Sequence, residues 1–154
     1  MTELTITVDD PREPAITSLL KRHLALMLEQ SDPEDVHALD VQALTDPAIT
    51  FYAVRSQGTV VGVGALKTLS PEHLELKSMH TAAEARGRGV ARALLTHLLD
   101  EARARGARRI SLETGTQPGF AAARALYASA GFTACGPFDT YVPSRASTFM
   151  TLEL

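Results

Sequence analysis

The residues best placed to do chemistry are Arg86-Gly87-Arg88-Gly89-Val90-Ala91, which lead into Arg92-Ala93-Leu94-Leu95-Thr96-His97-Leu98-Leu99. Two glycines free the backbone where a strongly amphipathic helix begins. The first turn of a helix carries N–H groups without intrahelical partners and lies at the positive end of the dipole, so it can hold an anion. Gly87 and Gly89 lack the Cβ that would keep a diphosphate from the backbone, and the flanking arginines add charge. A short Gly-x-Gly also occurs in ordinary loops with solvated arginines, so the surroundings must decide its meaning.

Other chemistry is poorly supplied. Cys135 has no evident activating partner, follows Gly131-Phe132 in an expected strand, and suits a small apolar role. The histidines at 23, 37, 73, 80 and 97 show neither i, i+4 pairing nor cysteine companions, so no metal site is expected. A dinucleotide fingerprint fails as well. Its third glycine is missing, and no βαβ unit is expected to open with this turn.

The elements that must position this turn alternate as in a mixed α/β protein. Leu4 to Val8 reads as a strand and Pro14 to Gln30 as a helix with Ile16, Leu19, Leu20, Leu24, Met27 and Leu28 on one stripe. Ser31-Asp32-Pro33 stops that helix, and Glu34 to Leu44 fits a second, short one. Phe51 to Arg55 and Thr59 to Leu69 form a hairpin around Ser56-Gln57-Gly58, and His73 to Thr81 is a further strand. The long helix runs from Gly89 to about Arg105, closed by Gly106. Arg108 to Glu113 is a strand, Gly119 to Ala130 a helix stopped by Gly131, and Phe132 to Leu154 supplies two strands.

Composition bounds the partners. The 154 residues suit one domain spanning 1–154, with 45% hydrophobic and 21% charged residues, ordinary for a globular chain. Met1 to Asp10 lacks the start of a signal peptide, and no apolar run could span a bilayer, so a cytoplasmic protein without a membrane partner is expected. Net charge is −3, yet residues 86–109 hold seven arginines against Asp100 and Glu101, a local +5 that leaves −8 elsewhere. That asymmetry fits a solvated helix face or a field for a small polyanion, and it does not fit a general nucleic-acid binder.

Two signatures in order give the chain a family likeness. Arg86 to Ala91 is the first, and Ala123-Arg124-Ala125-Leu126-Tyr127-Ala128-Ser129-Ala130-Gly131-Phe132 is the second, with one helix and one strand between them. Together they resemble the GCN5-related N-acetyltransferase (GNAT) superfamily. The likeness covers Phe51 to Leu154, and the first fifty residues only by element order. The segments Glu75-Leu76-Lys77-Ser78-Met79, Leu112-Glu113-Thr114-Gly115 and Phe149 to Leu154 are similar to a bacterial subgroup labelled indole-acetate acetyltransferases. Such a label does not identify an acceptor. The resemblance implies a single-domain α/β fold with a mixed, mostly antiparallel central sheet flanked by helices.

It also implies a donor and roles for residues. Acetyl-CoA would place its pyrophosphate on the Arg86–Ala91 turn, with Arg86, Arg88 or Arg92 neutralising it and more distant arginines meeting the 3′-phosphate. Its pantetheine arm would pair beside Met79, His80 and Thr81 through backbone groups. Acetyl transfer to an amine needs one proton removed from the acceptor and one given to the thiolate. Tyr127 matches the family's general-acid tyrosine, Glu75 is the first candidate for the base, and Glu113 is the second. Tyr127 could also be a core residue, and Glu75 an exposed strand glutamate. Phe120 stands where an Asn often precedes the tyrosine helix.

The expected acceptor is an amine of a small molecule, attacked directly in a ternary complex because no activated nucleophile is visible. Its lining is expected from His37, Leu39, Tyr52, Tyr141 and Arg145, the last hinting at a substrate carboxylate. The alternatives are transfer to a protein N-terminus or lysine, and a CoA-binding sensor without turnover. Oligomeric state stays open to a homodimer.

Overall fold

The computed structural model describes residues 3–30 and 41–154. Seven strands form one sheet: β1 (Leu4–Val8), β2 (Ile49–Ser56), β3 (Thr59–Ser70), β4 (His73–Thr81), β5 (Arg109–Gly115), β6 (Thr133–Cys135) and β7 (Ser147–Glu153). Their order is β1-β2-β3-β4-β5-β7-β6, and only the β4–β5 pair is parallel. Among the described residues three α-helices accompany it: α1 (Pro14–Gln30), α2 (Val90–Ala104) and α3 (Ala121–Ser129). The fold is the mostly antiparallel α/β sheet that the sequence implied.

Local chemistry explains the joins. Gln57 and Gly58 both have positive φ, which gives the tight turn whose twist suits two adjacent antiparallel strands, β2 and β3. Both sheet faces are covered. A Cβ on Gly62 or Gly64 would press on Val90 or Leu94 of α2, so the even positions of β3 face that helix and the odd ones, Val61, Val63 and Ala65, face the other side. α1 packs on β3 as well. This is why residues 61–66 read as a continuous apolar run and are buried throughout.

One expectation fails here. β4, α2 and β5 do form a βαβ unit, and the glycine turn opens it. Antiparallel neighbours on both outer sides of the pair disguise the parallel crossover in the sequence pattern. The predicted second helix at Glu34 to Leu44 falls mainly outside the described residues, which show only a short 3-10 turn at Ala43–Thr45. No helix among the described residues is long and apolar enough to cross a membrane.

Candidate active site

The site exists because β4 and β5 part. Their pairing runs from His73–Arg109 to Leu76–Leu112 and stops, while β4 continues to Thr81 and β5 to Gly115. Beyond Leu76, β4 is paired only on its β3 side among the described residues, so its other edge offers backbone groups to an extended ligand. The β3 side is itself irregular. Ala65 pairs Lys77 and Val63 pairs His80, so Gly64 faces two residues, Ser78 and Met79, across a bulge. Ser78 has φ of 56°, a left-handed conformation that costs energy outside glycine. The strain sits where the two strands have just separated.

Two clefts open into the gap. The larger, about 470 Å³, runs between the start of α2 and α3 and is lined by Met79, His80, Thr81, Arg86, Ala91 and Tyr127, among others. The smaller, about 100 Å³, lies between β4, β5 and the loop before β7, and is lined by Glu75, Lys77, Glu113, Phe120, Tyr127 and Tyr141, among others. Met79, Tyr127, Phe120 and His23 line both, so the clefts meet at these side chains.

Backbone builds the mouth of the larger cleft. Gly87 and Gly89 take φ of 79° and 78°, and a Cβ on either would meet no atom of the protein. Glycine is therefore required here by conformation rather than by crowding from the chain. Gly89 is the residue before the helix, and no side chain caps it. The first bond back to it comes from the Ala93 N–H at 3.0 Å, which leaves the N–H groups of Val90, Ala91 and Arg92 without intrahelical partners. Arg86, Arg88 and Arg92 are exposed around them, Arg92 touching Ser129 Oγ at 3.3 Å. The more distant arginines, 103, 105, 108 and 109, lie at or beyond the other end of α2 on Asp100, Glu101, Glu72 and Thr151. A helix of this length separates them by about 20 Å from the turn, so of the seven arginines of this segment 86, 88 and 92 are the ones at hand.

Tyr127 is fixed by the end of its own helix. Gly131 has φ of 104°, its N–H donates to Ala128 C=O, and the Phe132 N–H donates to Tyr127 C=O. This double closure brings Phe132 onto Tyr127, ring centroids 5.8 Å apart. The spacing Tyr-x-x-x-Gly-Phe is thus the chemistry of a helix stop that clamps the tyrosine. Burial pushes the Tyr127 phenol well above its usual range, so it stays protonated at neutral pH. Beside it, His23 and His80 stack with centroids 4.5 Å apart. Burial lowers His23 to about 4, and burial with the neighbouring His23, Arg86 and Arg22 lowers His80 to about 3, so both rings are neutral near pH 7.

Side chains build the smaller cleft. Glu75 is 1% exposed, not the surface glutamate that its strand position allowed. Lys77, two residues on and hence on the same strand face, donates from Nζ to Glu75 Oε2 at 3.0 Å and to Tyr141 Oη at 3.0 Å. Tyr141 donates to the same Oε2 at 2.6 Å. Glu75 Oε1 is buried without a hydrogen-bond partner among the described residues. Tyr141 is steadied by edge contacts with Phe138 and Phe149, and its phenol is pushed up by burial and by the Glu75 charge.

The sequence-predicted lining is only partly brought together. Tyr141 and Glu113 line the smaller cleft. Tyr52 does not: it is buried on the opposite face under α2, against His97 and bonded to Arg105 at 3.0 Å. Its even-numbered partner Gly64 shows why, since both point toward α2. Arg145 is exposed and lines neither cleft. His37 and Leu39 lie outside the described residues. Phe120, placed just before α3, lines both clefts. Lys77, His23 and Met27 were not anticipated. For Lys77 the i, i+2 relation to Glu75 was the available signal.

Residues 14–132 match the Acetyltransferase (GNAT) family. The chain belongs to this family. It is 47% identical over 150 residues to the uncharacterized N-acetyltransferase YedL of Escherichia coli, covering 97% of this chain and 94% of that protein. It is 38% identical to the IAA acetyltransferase of Azospirillum brasilense over 100% of both. A protein of Klebsiella pneumoniae assigned to the acyl-CoA N-acyltransferases superposes with a TM-score of 0.80 at 28% identity, covering 98% of this chain and 97% of that one. The fold is shared with a GNAT acetyltransferase of Elizabethkingia anophelis with acetyl-CoA bound, TM-score 0.73 at 17% identity over 98% of each chain. The chain is an acetyltransferase.

Proposed function

We propose that this acetyltransferase uses acetyl-CoA as donor and transfers the acetyl group to an amine of a small molecule by direct attack, with residues 1–154 acting as one N-acetyltransferase domain. Acetyl-CoA supplies an activated thioester and a thiolate leaving group. The observation that carries the reading is the meeting of two unlike clefts at Tyr127, one rimmed by free backbone N–H groups, the other holding a buried carboxylate oxygen without a partner.

In this reading the N–H groups of Val90, Ala91 and Arg92, with Gly87 and Gly89 opening the turn, bind the pyrophosphate, and Arg86, Arg88 or Arg92 neutralises it. The open edge of β4 at Met79, His80 and Thr81 pairs with the extended arm. Glu75 Oε1 accepts a proton from the acceptor ammonium, directly or through water, and the freed nitrogen attacks the thioester carbonyl. The Tyr127 hydroxyl, protonated at neutral pH, gives its proton to the departing sulfur and is restored by the second proton that the nitrogen sheds as the amide forms. Lys77 and Tyr141 act as positioning residues, since their three hydrogen bonds fix the Glu75 carboxyl so that Oε1 alone is left for the acceptor. Glu113 is the second candidate for the base, on the opposite wall.

Free-thiol release from acetyl-CoA, measured against small amines and against peptides with free N-termini or lysines, tests the proposal. Release with small amines, lost in Glu75→Gln, is the expected result. Release with peptides alone would make the chain a protein modifier, and binding of CoA with no release would make it a sensor.

A further inference from the structure

We infer that the acceptor is a primary amine bearing no carboxylate, a cation at neutral pH rather than a zwitterion. The inference rests on the acetyl-transfer reading above and adds the charge that the acceptor must carry. Among the described residues lining the smaller cleft, Lys77 is the one Lys or Arg side chain. Its charge is already committed, with Nζ 3.0 Å from Glu75 and a side chain only 10% exposed. Any carboxylate brought to its remaining proton would also lie beside the Glu75 carboxylate, and like charges in a poorly solvated site repel strongly.

The rest of the lining leans negative. Glu113 adds a second carboxylate to this lining. His23 adds none near pH 7, because burial lowers it to about 4. Arg124, on α3, spends Nη1 on the carbonyls of Gly115 and Gln117 at 2.7 and 3.0 Å. Arg145 lines neither cleft. Residues 31–40 contain Asp32, Glu34, Asp35 and Asp40 and no Lys or Arg, with His37 as their one basic side chain.

An alkylammonium meets Glu75 Oε1, which has no hydrogen-bond partner among the described residues. A zwitterionic amino acid also brings a carboxylate, for which the described lining holds no uncommitted Lys or Arg, a costly burial. Met27, Leu76, Leu112 and Phe120 supply apolar wall, so the substituent is a short alkyl or arylalkyl group.

The test uses matched acceptors that differ only in the carboxylate: phenethylamine with phenylalanine and its methyl ester, and isoamylamine with leucine and its methyl ester. Thiol release from acetyl-CoA is the readout, with CoA affinity measured in parallel. In each set the amine should exceed the amino acid in kcat/KM by at least about 30-fold, the loss expected when a charged group is buried unpaired. The ester, again a cation, should recover most of that difference. Equal or better turnover of the amino acids would overturn the inference and leave acetyl transfer standing. Esters as poor as the acids would overturn it too, because bulk rather than charge would then exclude them. No release from any amine, acid or ester, with CoA still bound, would overturn the small-molecule reading and this inference together.

Discussion

The two clefts meet at Tyr127 but are built from different materials. The larger presents backbone: three helix N–H groups without intrahelical partners, a strand edge with no neighbour among the described residues, and two glycines in left-handed conformation. The smaller presents side chains: a carboxyl held at one oxygen by a lysine and a tyrosine and bare at the other. Backbone recognition asks only for conformation, so it tolerates variation at most positions and suits a constant donor. Side-chain recognition asks for specific charges and shapes, and it can be retuned for a different acceptor without disturbing the donor side. The contrast predicts that damage to one cleft should leave binding in the other intact, and that damage at their junction should halt chemistry without abolishing binding of the donor.

The junction should give the largest effect. Tyr127→Phe keeps the ring on Phe132 and removes the hydroxyl, so turnover should fall by about 10²-fold or more while CoA affinity stays the same. Steady-state kinetics with saturating acceptor, with CoA titration alongside, read both. Turnover within about twofold of the parent would return Tyr127 to the core, because that is far below a general-acid effect.

Gly89→Val should come next and act on the donor side alone. The turn requires φ of 78°, and a left-handed residue with a Cβ costs about 1–2 kcal/mol, so the turn should open and CoA binding weaken by about 10-fold or more. Titration calorimetry with CoA measures it. An unchanged affinity in a folded variant would mean that this turn is not where the phosphates bind.

A smaller effect, confined to the acceptor side, is expected from Tyr141→Phe. It removes one of the two donors to Glu75 Oε2 and leaves Lys77 as the remaining one. Loss of about 1 kcal/mol of positioning should lower acceptor kcat/KM by about fivefold, with CoA affinity unchanged. Equal losses on both sides would break the division between the clefts.

The histidine pair should give the slightest signal in rate and show instead in stability. His23 and His80 are held neutral in the fold at about 4 and about 3, below the unfolded value of 6.5. Below pH 6.5 the unfolded chain therefore binds more protons than the folded one, and stability present above 6.5 is lost as pH falls toward 4 and 3. Thermal melts should show Tm falling as pH drops from 7 to 4, and His23→Phe should flatten that slope. A parent Tm constant over this range would contradict the burial of the pair.

The same division explains what could be read from the chain. The glycine turn, the long helix and the Tyr-x-x-x-Gly-Phe stop were legible because each is a local demand: left-handed φ at Gly89 and Gly131, an apolar stripe on α2. β4 was legible to the residue, His73 to Thr81, since alternation and its flanking turns bound it. The Glu75, Lys77 and Tyr141 cluster was not. Tyr141 lies 66 residues beyond Glu75 and reaches it only because β5 and β7 pair beside β4. Tyr52 misled for the same reason, as alternation says that a strand residue faces one side and not which side holds the site. The parallel β4–β5 pair was hidden too, being one short ladder among antiparallel ones.

The central claim, a donor cleft made of backbone beside an acceptor cleft made of side chains, is tested most directly by amide hydrogen exchange with and without CoA. The unpartnered N–H groups of Val90, Ala91 and Arg92 and the open edge of β4 should exchange quickly in the free protein. Saturating CoA should slow exchange in segments 77–81 and 86–92 and leave the Tyr141 loop, residues 136–146, unchanged. Protection of the Tyr141 loop with no change at 86–92 would contradict the account.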